Sequence, residues 1–148
     1  MTQLRVTKSF VLDMAHALWG YDGPCKNIHG HTYHFSVTVI GEILDNPGHP
    51  KNGMVIDFSE IKKIVQHEII NAYDHSLVLN ENMDQRLMIG LRENFEKIFF
   101  VPFQPTCENL LIEFKNKVAK HLPAHIYIHH VRLQETSTSY AEWYRSDN

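Results

Sequence analysis

From Tyr33 to Val39 the chain alternates without a break. Tyr33, Phe35, Val37 and Val39 share one parity, and His34, Ser36 and Thr38 share the other. Successive side chains of a strand point to opposite faces, so this run predicts a sheet with one apolar and one polar face. Such a sheet has to bury its apolar face under another layer, which makes the remaining elements the next question. Upstream, "RVTKSFVLDMAHAL" is rich in β-branched and aromatic residues and reads as a partner strand. Downstream, "GEILDNPGHPKNG" is turn material leading to a short strand at "MVID". A helix is expected after Asp57 and Glu60, which stand at capping-box spacing, with Phe58, Ile61, Val65, Ile69 and Ala72 along its apolar face. "YDHSLVLNEN" ends that helix; "MDQRLMIGLRENF" is expected as a short helix, and "KIFFVPF" as a short extended segment. A further helix starts at Thr106, a plausible N-cap, with Leu110, Leu111, Phe114, Val118 and His121 on one face. "HIYIHHVRLQET" and "YAEWYR" close the chain as strands. The principal order is strand, strand, helix, helix, strand, strand, which predicts an α+β domain with one antiparallel sheet.

The chain has 148 residues, 43% of them hydrophobic and 21% charged, enough for one domain spanning 1–148 with a substantial core. The formal net charge of -3, with no Lys/Arg run, predicts no nucleic-acid partner. No stretch approaches the roughly 18 apolar residues of a membrane helix. The opening "MTQLRVTKSF" has no apolar core or cleavage site, so secretion is not expected. Two cysteines are too few for a disulfide framework, and a cytoplasmic location is the expectation.

"CKNIHGH" places Cys25, His29 and His31 within seven residues. His29 and His31 share the parity of Tyr33, so both rings emerge on the face that packs inward. Two imidazoles so spaced can reach one ion, and His16, near the end of the first strand, is the best third donor. Three neutral histidines leave a tetrahedral position open, the pattern of a catalytic zinc site. Cys25 could instead close the site as a fourth ligand, or pack as an inert small side chain. The chain also carries 11 histidines, which lowers the information in any one of them. Asp74 beside His75 offers a carboxylate that can orient an imidazole for proton transfer, although such pairs also occur as surface residues at helix ends. Glu135 follows Leu133 in an expected strand, either exposed at its end or placed to receive paired N–H donors. Glu108 falls in a first helical turn, where the macrodipole alone favours an acid.

In order, "HAL", "CKNIHGHTY", "GMVIDFSEIK", "YDHSLVLN", "PTCENL" and "ETSTSYAEWY" resemble the 6-pyruvoyltetrahydropterin synthase and 6-carboxytetrahydropterin synthase family over residues 8 to 144. The resemblance implies the tunnelling fold: a four-stranded antiparallel sheet with two helices on one face, in the sequence order ββααββ. It implies Zn2+ on His16, His29 and His31, a catalytic thiol at Cys25, and a proton relay through Asp74 and His75. It implies that Glu135 holds a pterin ring, with Thr106 and Glu108 around the same pocket. The implied substrate is 7,8-dihydroneopterin triphosphate. The implied assembly is a homo-oligomer, a hexamer of stacked rings, with active sites between subunits. The spacing from Cys25 to "HGH" is similar to that of the bacterial carboxy-product enzymes of queuosine precursor synthesis, which release acetaldehyde and triphosphate. A pyruvoyl product and a catalytically silent pterin- or metal-binding protein are the alternatives. The chain is longer between Asn80 and Pro105 than compact bacterial members.

Overall fold

A computed structural model describes residues 2–148. β1 (Gln3–Ala17) and β2 (His29–Glu42) form a long antiparallel hairpin that brings His16 opposite His29. β5 (Tyr127–Thr136) pairs antiparallel with β2, and β6 (Ser139–Tyr144) with β5. These are the four antiparallel strands expected from the sequence, though β1 and β2 run further than their apolar cores suggest.

The expected four-stranded sheet is nevertheless incomplete, and so is the expected element order. Two further strands, β3 (Ser76–Asn80) and β4 (Ile98–Val101), join it in parallel, giving the order β4-β3-β1-β2-β5-β6. β3 meets only the last four residues of β1, Met14 to Ala17. Along Gln3 to Asp13 the outer edge of β1 therefore has no strand beside it among the described residues. "MVID" forms no strand. Its backbone turns at Gly53, which sits at φ +84°, and Asp57 then leaves the extended region as a helix cap.

α1 (Phe58–Val65) continues through a π-helical stretch, Gln66–Ile70, into α2 (Asn71–Tyr73). Asp57 caps α1 by accepting from Ser59 N–H at 2.8 Å. The reciprocal half of the expected capping box is absent, because Glu60 is drawn into an ion pair with Lys51. α3 (Gln85–Asn94) fills the expected short helix and is capped by Asp84. α4 (Cys107–Ala119) has Thr106 as its N-cap, as expected, with the hydroxyl accepting from Asn109 N–H at 3.3 Å.

Sheet residues of one parity meet the helices. Leu12, Met14, Tyr33, Phe35, Val37, Val39, Val131 and Leu133 pack with Ile61, Val65, Ile69, Tyr73, Leu110 and Phe114 in one core. Phe114 lies edge-on to both Phe35 and Tyr73, with ring centres 5.6 and 5.0 Å away. Phe58 departs from the expected apolar face: it is 50% exposed at the first helical position. His121 falls beyond the end of α4 and is also outside the core. A smaller cluster of Ala17, Leu79 and Met83 seats α3 through Met88 and Leu91. Among the described residues, no helix is long and apolar enough to cross a membrane.

Candidate active site

The β1–β2 register is what gathers the histidines. His16 lies across from His29, and His31 lies two residues along β2 on the same face. One ring nitrogen from each of His16, His29 and His31 lies within 4.8 Å of the others. The expected third donor is therefore in place. Cys25 is not part of this group of ligating atoms, so the arrangement is three imidazoles without a thiol.

Hydrogen bonds fix two of the ring tautomers. His16 Nδ1 meets the Pro105 carbonyl at 2.7 Å, and His29 Nδ1 meets the Asn27 carbonyl at 2.8 Å. A carbonyl only accepts, so both Nδ1 atoms carry the proton and both Nε2 atoms present lone pairs. Those two Nε2 atoms face each other at 3.1 Å. Neutral rings so arranged repel, and a cation between them removes the repulsion. Nitrogens bound tetrahedrally to one zinc at 2.0–2.1 Å stand about 3.4 Å apart, close to the separation here. The donor set thus fits a divalent metal. Burial lowers the His16 pKa below its ordinary 6.5, although the Pro105 carbonyl and the Glu135 charge act the other way. Burial of His16, only 2% exposed, thus favours the neutral form that a metal ligand requires.

Glu135 reaches the same place by a backbone irregularity. Between β5 and β6, Gln134 pairs with Tyr140 and Thr136 with Ser139, so Glu135 is the extra residue of a bulge. Bulges re-aim a side chain, and this one sends the carboxylate toward the histidines. Glu135 Oε1 lies 3.5 Å from His16 Nε2 and 3.9 Å from His31 Nε2. The Tyr33 hydroxyl donates to the same oxygen at 3.1 Å. Tyr33 is fully buried beneath the site, edge-on to His16 and His31 at ring-centre distances of 6.1 and 5.6 Å. Burial, and then the Glu135 charge, push its pKa up, so the phenol remains a donor.

A cavity of about 270 Å³ opens beside His16. His16, Cys25, Thr106, Glu108 and Glu135 all line it. Cys25 sits in the short turn Pro24–Lys26, tied to the end of β1 where Leu18 N–H donates to its carbonyl at 2.9 Å. Thr106 and Glu108 arrive at the start of α4. Cys107, given no role from the sequence, also lines the cavity. Burial above all, with help from Glu135, pushes its thiol up to about 12, and it donates to the Leu133 carbonyl at 3.2 Å. Such a thiol is a packing group rather than a nucleophile.

Asp74 and His75 lie elsewhere. His75 Nδ1 donates to Asp74 Oδ2 at 2.9 Å, the expected pairing, but the His75 side chain is 76% exposed. It lines a second groove, of about 700 Å³, together with Ile28, Leu91, Phe95, Lys97 and His31, so this groove reaches one of the three clustered histidines. Within one chain these two residues share no cavity with Cys25. Burial alone pushes Asp74 up. The Asp13 amide, the His75 ring and Lys97 outweigh it and hold the carboxyl below its ordinary range. His75 has φ +60°, the left-handed region, at a cost of about 1–2 kcal/mol for a residue with a side chain.

Fold and site together define an α+β protein with a cluster of three histidines that could hold a metal ion, beside a carboxylate-bearing pocket. The sequence model of the 6-pyruvoyl tetrahydropterin synthase family matches residues 5–146, and the chain belongs to that family. A 6-carboxy-5,6,7,8-tetrahydropterin synthase from Haemophilus influenzae is 37% identical over 141 residues, covering 94% of this chain and 97% of that protein. One of the same name from Rickettsia typhi is 30% identical over 144 residues, covering 94% and 99%. Among solved structures, an uncharacterized protein from Wolinella succinogenes superposes with TM-score 0.76 at 17% identity, covering 98% of this chain and 99% of that one. The 6-pyruvoyl tetrahydropterin synthase of Caenorhabditis elegans gives TM-score 0.70 at 23% identity, covering 97% and 96%. These two likenesses establish the fold.

Proposed function

We propose that this chain, an enzyme similar to 6-carboxytetrahydropterin synthases and so a lyase, converts 7,8-dihydroneopterin triphosphate and water to 6-carboxy-5,6,7,8-tetrahydropterin, acetaldehyde and triphosphate, a step in queuosine precursor synthesis. The observation that carries this reading is the convergence of two lone-pair Nε2 atoms and a third imidazole beside a cavity lined by Cys25 and Glu135. His16, His29 and His31 would hold Zn2+, which supplies Lewis acidity that lowers the pKa of hydroxyls bound to it.

The chain's own groups do the rest. The Glu135 carboxylate, held on one oxygen by Tyr33, accepts two parallel N–H bonds from the pterin edge and sets the ring's orientation. Thr106 and Glu108 bound the same pocket. Cys25 moves a proton at the substrate side chain. Asp74 holds the proton of His75 on Nδ1, which leaves Nε2 free to pass protons. Because His75 and its own Cys25 line different cavities, the pair is read as completing the pocket of a neighbouring copy. The working form is then a homo-oligomer whose sheets join in the barrel of a tunnelling fold, a hexamer of stacked rings, located in the cytoplasm. The whole chain, 1–148, is read as one domain.

The test is incubation of the metal-loaded protein with 7,8-dihydroneopterin triphosphate, followed by mass analysis of the pterin and assay of acetaldehyde. The expected products are the carboxy pterin and one acetaldehyde per turnover. A 6-pyruvoyl pterin without acetaldehyde would assign the pyruvoyl reaction instead, and binding without turnover would mark a silent pterin-binding protein.

A further inference from the structure

The turn carrying Asp74 and His75 is held in a backbone conformation that a residue with a side chain rarely adopts, with His75 at φ +60°. The aim of the imidazole therefore depends on what surrounds the turn. One side is tied to β1: His75 N–H donates to the Asp13 carbonyl at 2.7 Å, and Asp13 N–H donates to Asp74 Oδ1 at 2.9 Å. The other side is tied to a segment that the proposed chemistry does not otherwise use, the approach to β4. There Lys97 makes two contacts. Its ammonium donates to the Asp74 main-chain carbonyl at 2.5 Å, and its own carbonyl accepts from Leu77 N–H at 3.0 Å. Lys97 has no carboxylate partner among the described residues, so the Asp74 carbonyl is the anchor that defines its position.

These contacts form a bracket. β3 begins at Ser76, immediately after the strained residue, and pairs with β4 from Leu77 onward. Lys97 grips the turn on one flank of that junction and the start of β3 on the other. We propose that Lys97 is a positioning residue, which fixes the peptide between Asp74 and His75 so that the His75 ring projects along one direction. This deepens the reading of Asp74 and His75 as a proton relay and rests on it. It also gives the segment between Asn80 and Pro105 a purpose, because α3 and β4 carry Lys97 to the turn. Lys97 itself touches no reacting atom in this account; it acts through the orientation of its neighbours.

The test uses the full-length, metal-loaded protein with Lys97→Met, Lys97→Arg and His75→Ala. With Lys97→Met, kcat is expected to fall by about 10- to 100-fold, the scale of a small displacement of a catalytic group, while KM and zinc content stay unchanged. Lys97→Arg, which keeps a donor, is expected to recover most of the rate. Nitrogen NMR of the His75 ring gives a readout apart from turnover: one Nδ1–H tautomer in the parent, and an averaged signal in Lys97→Met. Full activity in Lys97→Met beside an inactive His75→Ala overturns the positioning role alone. Full activity in His75→Ala overturns the relay reading and this role with it. If Lys97→Met fails to fold, Lys97→Gln takes its place, and the same rate and ring signals decide.

Discussion

Tyr33→Phe isolates one atom of the site. The ring stays, with its edge-on contacts to His16 and His31, and only the hydroxyl that donates to Glu135 at 3.1 Å is lost. A hydrogen bond to a charged group is worth about 1.5–3 kcal/mol. At a factor of ten per 1.4 kcal/mol, full loss of this constraint weakens pterin binding by roughly 10- to 100-fold. The Glu135 side chain is 23% exposed, so water restores part of the lost bond, and the lower end, about tenfold, is expected. Calorimetric titration with a non-reacting pterin reads the affinity directly, with KM for the triphosphate substrate as a second measure. Zinc content is expected to hold, since no metal donor is removed. Pterin affinity within twofold of the parent would show that the phenol does not orient Glu135. Loss of zinc instead would show that it supports the imidazoles rather than the carboxylate.

Cys25→Ala is expected to abolish turnover while retaining about one zinc per chain by metal analysis; loss of the metal would refute an open three-histidine site. For the chelator-treated protein, stability is expected to fall as pH drops below the ordinary imidazole pKa of 6.5. His16 has a lowered folded pKa, so the unfolded chain binds more protons there, and folding loses ground as pH falls below 6.5. The depressed carboxyls of Asp57, Glu68 and Asp74 act at lower pH, near their ordinary 3.8 to 4.5. Urea midpoints measured on either side of pH 6.5 decide the matter, and an unchanged slope in His16→Gln would assign the effect to another group. Phe114→Ala empties the junction between Phe35 and Tyr73 and is expected to cost about 3–5 kcal/mol in denaturant unfolding, with a cost below 1 kcal/mol refuting its place at the centre of the core.

The hairpin and its cluster of three histidines were legible in the sequence because both depend on parity. Strict alternation through Tyr33 to Val39 fixes which way His29 and His31 point, and pairing of consecutive strands brings His16 across from them. α4 was legible from Thr106 onward because its cap and its apolar spacing agree. β3 and β4 were not read as members of the sheet. They are short, and their parallel pairing joins residues far apart in the chain, which no local pattern records. Phe58 was misassigned because helical spacing counts it with the buried face, while its place at the first turn leaves it at the rim near Lys8. The strand that carries Glu135 was legible, but the bulge that aims its carboxylate was not, since register is a property of two strands. The same reason hid Tyr33 and Lys97. Each acts through a contact to a residue distant in sequence, Glu135 in one case and Asp74 in the other.

β1 outruns the strand that flanks it. From Gln3 to Leu12 every second N–H and C=O of β1 points outward with no strand to meet it, and the outer side of β6 is likewise without a strand among the described residues. One molecule therefore carries open rows on β1 and on β6, each able to pair with a strand of a second molecule. A solitary chain would keep its helices and its imidazoles yet remain unfinished at both margins. Dilution should then extinguish turnover while the circular dichroism of the backbone is still intact.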